Sequence, residues 1–240
     1  AGYTLLLIDA QESETIERQN LQRVLPLVSG VVIASTRTSD TVLRSVSKST
    51  PVVVLNRQVG GLACVVPDSP RGMRRAVEHL ATLGHRHIHY LPGPEASWMN
   101  GIRWLAMREA AAELGLRETR LTPAIPTVEG GHHASDEVVA KGVRAVVCYN
   151  DVMAMGLMRG LKARGLKIPQ DVSVVGFDNT FASDLVTPRL TTVAAPLTTI
   201  GETAIRQVLA MIGGARPRGD APTVVPVRLI VRESTGAPRS

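Results

Sequence analysis

The sequence predicts an α/β chain built on parallel sheets, and three observations carry that prediction. Short runs at residues 31–34, 51–55, 63–66, 143–148 and 172–176 are predominantly apolar and rich in β-branched residues, the pattern of strands covered on both faces. Stretches of helical periodicity separate them, as at Met73, Ala76, Val77 and Leu80, or Ile200, Ala204, Val208 and Met211, each an apolar stripe for a sheet to cover. Glycine and proline stand where helices should stop, at Gly84 and at Gly165 with Pro169,.

Taken in order, residues 5–8 read as a strand and 15–27 as a polar helix. The strand at 30–34 follows, then a short helix at 40–47 and the extended runs at 51–55 and 63–66. Ser69 and Pro70 supply an N-cap and a first-turn proline for the next helix. A turn and strand follow at 85–91, and residues 95–101 are expected as a loop at that strand's carboxyl end. Arg103 then sits on the first turns of a helix carrying Ile102, Leu105, Ala106 and Leu114. Residues 127–131 are glycine-rich, and a helix is expected from about Ala134.

The chain is organised around residues 150–179. Asn150 and Asp151 offer caps to a helix that runs to about Arg164, and the strand after it delivers Asp178 just beyond its carboxyl end, where open parallel sheets gather ligand groups. Val152, Met153, Ala154, Met155, Leu157, Met158 and Leu161 cover more than one face of this helix. It should therefore bury a second face, either inside its own domain or against another subunit through Val152, Met155 and Met158. A strand at 190–194 follows, then Thr199 to Glu202 with capping-box spacing, a Gly/Pro/Arg loop to Pro222, and a last strand over 224–232.

Bulk properties bound the function. The 240 residues are 44% hydrophobic and 20% charged, an ordinary globular composition. No apolar run approaches the ~18 residues of a membrane span. No signal peptide is evident, so a cytoplasmic, membrane-free protein is expected. Cys64 and Cys148 form no C-x-x-C pair and read as buried hydrophobes. The net charge of +6 comes from scattered arginines without interleaved aromatics, so it is no nucleic-acid site by itself. His85, His87 and His89 lack a neighbouring carboxylate or cysteine, and no metal or cofactor site is expected. The phosphate-loop, dinucleotide, nucleophile-elbow and zincin motifs are all missing, and no catalytic residue is assigned.

Three stretches resemble one family: Glu78 to Ile88 (Glu-His-Leu-Ala-Thr-Leu-Gly-His-Arg-His-Ile), Tyr149 to Gly156, and Ile168 to Asn179 with Thr187 to Val193. They are similar to the effector-binding core of the LacI/GalR transcription regulators. The resemblance is weak from Gly2 and strong from Asp68 to about Arg232. It implies a periplasmic-binding-protein-like core of two doubly wound, Rossmann-like lobes: residues 1–66 with 196–222, and 67–195 with 223–240. A small polar effector, a sugar by preference, would bind between them. Family cores begin with a strand and helix ahead of the segment matching Gly2 to Leu5, so those two elements of the first lobe are expected to be missing here. On that resemblance the DNA-binding headpiece is expected to lie outside this sequence as well.

By the same resemblance Asp178 and Arg103 are effector ligands, a carboxylate for hydroxyls or ring N–H groups and a planar fork of donors for oxygens. They should also pair with each other. Asn150 offers an amide, against a pure capping role, while Ser97, Trp98 and Met99 lie in the stretch that lines the family pocket. Asn56 and Arg57 are the best offers from the first lobe. Trp98, Trp104, Tyr149 and Phe181 are the aromatics available for sugar stacking, with core packing as the alternative for each. The expected function is the ligand-sensing, dimerising core of a bacterial repressor, a homodimer or higher homo-oligomer that meets operator DNA through its headpiece. A transporter's sugar carrier shares the fold and is the rival reading. An enzyme on the same scaffold would need turnover of a bound ligand.

Overall fold

The computed structural model describes residues 2–215 and 221–239. They fall into two compact units, Ala1–Val66 with Thr198–Val225, and Pro67–Leu197 with Pro226–Ser240. The chain passes between units at 66/67, 197/198 and 225/226.

The first unit holds α1 (Glu14–Val24), β1 (Val31–Ala34), α2 (Asp40–Val46), β2 (Val52–Leu55) and β3 (Ala63–Pro67). The second unit follows with α3 (Ser69–Thr82), β4 (His87–Leu91), α4 (Trp98–Glu113), β5 (Arg117–Arg120), α5 (Val128–Ala140), β6 (Ala145–Cys148), α6 (Asp151–Ala163), β7 (Ser173–Asp178) and β8 (Thr191–Ala194). The chain then forms α7 (Leu197–Ile212) and β9 (Thr223–Val225) in the first unit, and β10 (Arg228–Ile230) in the second.

In the first unit the strand order is β1-β2-β3-β9, with the β1–β2 and β2–β3 pairs parallel. Leu21, Ile33, Leu43, Val52, Val54, Val59, Leu62 and Cys64 form its core. In the second the order is β10-β8-β7-β6-β4-β5, parallel except for β10 against β8. Val146, Cys148 and Val174 point to the side covered by α5 and α6, while Ala145, Val147, Val175 and Phe177 point to α3 and α4. This is why β6, and β7 from Val174 to Phe177, are apolar at consecutive positions rather than at every second one,. The architecture is α/β, with a mostly parallel sheet in each unit.

Several expectations are corrected. Residues 5–8 form no strand: they pair with neither sheet, and Leu7 is 89% exposed. β-branched and leucine content signals only a capacity for pairing; the ladder needs a partner strand, and β1 is hydrogen-bonded on its β2 side alone,. The helix after β3 is capped by Asp68, whose carboxylate accepts from the Arg71 amide, rather than by Ser69. The 95–101 stretch is not all loop: Ser97 caps α4, so Trp98 and Met99 lie in its first turn. α7 begins at Leu197, ahead of the expected capping box. The single strand over 224–232 breaks at Pro226, which has no N–H for a ladder, into β9 and β10 in different sheets,. Residues 216–220 of the expected Gly/Pro/Arg loop lie outside the described ones.

The helix α5 starts at Val128 and takes in Gly130 and Gly131, earlier than expected. The reason is its close crossing with α6. A Cβ on Gly131 would meet the Met153 carbonyl oxygen at 2.1 Å, and one on Gly156 would meet that of Val128 at 2.0 Å. These glycines let two backbones touch, a use that outweighs their poor helix propensity. The second apolar face of α6 is thus covered by α5 of its own unit, and Met158 is 3% exposed in that core. Met158 is therefore withdrawn from the interface set. Val152 and Met155 remain half-buried.

Candidate functional site

Asp178, Arg103, Asn150 and Ser97 come together in the second unit at the carboxyl ends of its parallel strands. β7 ends at Asp178, whose backbone has φ 105°, followed by Asn179 at φ 56°. Two successive non-glycine residues in the left-handed region are costly, and such strain persists only where surroundings enforce it. Here it turns the carboxylate off the end of the strand toward α4.

Arg103 reaches the same place from the second turn of α4, only 4% exposed. Its Nη2 donates to Asp178 Oδ1 at 3.3 Å and its Nη1 to the Tyr149 carbonyl oxygen. The guanidinium lies 3.6 Å from the Phe177 ring centre and 5.1 Å from that of Tyr149, a cation held on aromatic faces. Its buried Nε has no partner among the described residues. The Asp178 carboxyl is pushed above the ordinary range by desolvation, with the Arg103 cation pulling it back down,.

Asn150 Oδ1 accepts from the Met153 amide at 2.9 Å and caps α6. The capping and ligand roles are thus compatible, because the amide Nδ2 lies outside that bond. Ser97 caps α4 through the Asn100 amide and shares a 3.0 Å hydrogen bond with Tyr149 Oη. Trp98 is half-buried beside the α6 core. Met99 is buried within that core and is no free contact. Its place in the first turn of α4 points it inward rather than along a loop.

The remaining candidates sit elsewhere. Trp104 stacks on Tyr90 at 6.0 Å. In the first unit, Asn56 Nδ2 bonds Ser35 Oγ, and Arg57 is tied to Thr38 O and Asp40. His85 Nε2 bonds Ser173 Oγ and Gly236 O, while the His87 and His89 rings lie 4.1 Å apart. Burial drives His89 down to about 4, so it stays neutral. Among the described residues no group of His, Cys, Asp or Glu has metal-binding geometry, and no helix is long and apolar enough to cross a membrane. Both cysteines are free and buried.

Two features escaped the sequence reading. Asp151 does not cap α6. Its carboxylate is fully buried and accepts from Thr180 N at 2.7 Å, Thr180 Oγ1 at 3.2 Å and Thr192 Oγ1 at 2.5 Å. The second is an exposed apolar pair three and seven residues past Asp178: Phe181 is 85% and Leu185 73% exposed. Phe181 was visible as a scarce aromatic, but nothing local distinguished a surface position from a stacked one.

The fold belongs to a defined class. Residues 77–235 match the family model of the periplasmic binding protein-like domain. The chain is 31% identical over 245 residues to the HTH-type transcriptional regulator GalR of Escherichia coli (strain K12), covering 99% of this chain and 71% of that protein. A LacI family transcriptional regulator from Enterococcus faecalis V583, crystallised with bound ribose, superposes with a TM-score of 0.85 at 28% identity, over 97% of this chain and 87% of that one. The dimeric Lac repressor with an 11-residue C-terminal deletion gives a TM-score of 0.83 at 25% identity, over 95% and 85%. The chain belongs to the LacI/GalR family of transcriptional regulators and corresponds to that family's effector-binding core.

Proposed function

We propose that this chain is the sensing and dimerising core of a cytoplasmic repressor that responds to a small polyhydroxy effector. Asp178, Arg103 and the free amide of Asn150 are its contacts from the second unit, with Ser97 and Trp98 as the surrounding wall. The observation that carries this reading is the buried Arg103, whose Nη2 bonds a carboxylate at a strand end while its Nε has no partner among the described residues. A buried guanidinium donor left without an acceptor costs stability, and a hydroxyl-bearing ligand would satisfy it. The ribose bound by the Enterococcus faecalis relative is of this class.

A homodimer accompanies this function, as in the dimeric Lac repressor. Val152 and Met155 on α6, with Phe181 and Leu185 just beyond the site, are the residues assigned to it. Thr180 bonds Asp151 at one end of α6 and the Thr187 carbonyl accepts from Lys162 at the other, which puts the 181–186 segment along α6. An effector acts by preferring one arrangement of the dimer, and it shifts DNA affinity only to the extent of that preference. No turnover is assigned to the site.

The test is a thermal-shift screen of ribose, galactose, lactose and cellobiose, with sugar phosphates and purines as controls, run on the chain and on Arg103→Ala in parallel. At a hundredfold excess over Kd a ligand adds about 2.7 kcal/mol. A shift with a sugar that disappears in the variant supports the reading. A shift that survives in Arg103→Ala removes this residue from the site.

A further inference from the structure

Asp151 is a carboxylate that the binding chemistry does not use. It occupies the first turn of α6 with its side chain turned under the sheet, and its bonds converge on the residues after Asp178. The Thr180 amide donates to Oδ2 at 2.7 Å. The Asn179 amide donates to Thr192 Oγ1 at 3.3 Å, and that hydroxyl donates in turn to Asp151 Oδ1 at 2.5 Å. Both amides that follow Asp178 therefore end on one carboxylate. They span the two positive-φ residues, the place where backbone strain needs an external hold.

The neighbourhood is shaped for this carboxylate. A Cβ on Gly176 would lie 2.3 Å from Asp151 Oδ1, so β7 carries glycine where the side chain passes beneath it. The charged and titratable groups around it are Asp178 at the end of β7 and Cys148 at the end of β6. Beyond them, Arg103 and Arg232 bond Asp178 and Asn179 respectively. Neither guanidinium bonds Asp151 directly. Among the described residues its charge rests on hydroxyl and amide donors alone, and desolvation raises its carboxyl to about 6 against the pull of those donors, with Asp178 adding to the rise,.

We propose that Asp151 is a positioning residue: its ionised carboxylate fastens the two amides after Asp178 and so holds the Asp178 carboxylate toward Arg103, a latch that loosens when Asp151 takes up a proton. The functional meaning rests on the reading of Asp178 as an effector contact. The latch itself does not. Coupling would make effector affinity fall on mild acidification, although no histidine lies in the hydrogen-bond network.

Hydrogen exchange at the Asn179 and Thr180 amides, expressed as protection factors at pH 5 to 7.5, tests it without any ligand. The wild-type protection should drop about tenfold toward pH 5 as the carboxylate is neutralised. The midpoint should coincide with the titration of the Asp151 carboxyl carbon seen by NMR, and not with that of Asp178. Asp151→Asn, locked neutral, should show flat protection near the wild-type value at pH 5. A flat wild-type profile, a midpoint that follows Asp178, or an Asp151→Asn variant that keeps the wild-type profile overturns the proposal. The wild-type arm decides even if the variant fails to fold. Because no effector enters these measurements, loss of the site reading in the Arg103→Ala screen and loss of the latch are separate results.

Discussion

Replacing Arg103 by alanine is the most informative single perturbation, because the structure gives each of its consequences a size. Truncation removes two hydrogen bonds from a buried guanidinium, to Asp178 and to the Tyr149 carbonyl, and the contact with the Phe177 face at 3.6 Å. Charge-assisted bonds contribute about 1.5 to 3 kcal/mol each and a desolvated cation on a ring up to about 2 kcal/mol. Against this, the variant no longer buries an unpartnered Nε, which returns about 1 to 3 kcal/mol. With each contribution taken at the middle of its range, the expected net loss is about 3 to 4 kcal/mol, or roughly 6 to 16 °C in the midpoint of a chain this size.

The pH dependence distinguishes this account from a simple cavity. Arg103 favours the ionised form of Asp178, so its contribution is present where that carboxylate is charged and fades as the carboxylate is protonated. The gap between wild type and Arg103→Ala, measured by urea unfolding, should therefore be wider at pH 7.5 than at pH 4. Adding Asp178→Asn to the variant should recover about 1 to 2 kcal/mol at pH 7.5, by removing a charge left without its cation. A difference below about 1 kcal/mol, or one independent of pH, would refute the reasoning.

Three further outcomes are expected. Gly156→Ala drives a Cβ to 2.0 Å from the Val128 carbonyl oxygen and should destabilise the second unit by about 3 kcal/mol, read from thermal unfolding by circular dichroism. Phe181→Ser with Leu185→Ser should weaken self-association in sedimentation velocity while changing stability by no more than about 0.5 kcal/mol, since both side chains are exposed,. His89 is held neutral down to about 4 by burial, with His87 adding to the effect, so the unfolded chain takes up its proton first as the pH falls. Wild type should lose up to about 3 kcal/mol between pH 6.5 and 4, and His89→Gln should remove that part of the acid slope.

Physical range decides how much of this was readable in the sequence. Strands β2, β3, β6 and β7 were legible because burial on both faces writes itself into consecutive residues, and β1 through its β-branched run although only Ile33 is buried. β5, with the sequence Arg-Glu-Thr-Arg, was not, since a half-buried edge strand carries no apolar signature. Asp178 was legible because its place depends only on where a strand ends. The role of Asp151 was hidden: next to Asn150 it has the appearance of a helix cap, and what redirects it are Thr180 and Thr192, 29 and 41 residues away. Likewise the excess apolar residues of α6 gave a correct sign of a second buried face but not its partner. The answer lay in Gly131 and Gly156, which read locally as helix breakers.

A buried carboxylate with no cation is a poor choice for stability. With its carboxyl displaced to about 6, Asp151 costs up to about 3 kcal/mol when ionised in the folded chain. The sign follows from the raised value: the cost is full above pH 6 and is relieved as the pH falls below it. An apolar or amide residue would avoid it, so the charge must do what neutral side chains do less well. What it does is accept from the two backbone amides that follow the strained residues Asp178 and Asn179, through Thr192 at Asn179 and directly at Thr180. Phe181 follows Thr180 by one residue, so whatever moves the turn at Asp178 also moves the segment assigned to the dimer contact. A rigid, well-stabilised turn would disconnect the two. A strained one, held by a single carboxylate, keeps the site and the exposed apolar segment on one mechanical element, and the stability lost at Asp151 at neutral pH is the expense of that connection.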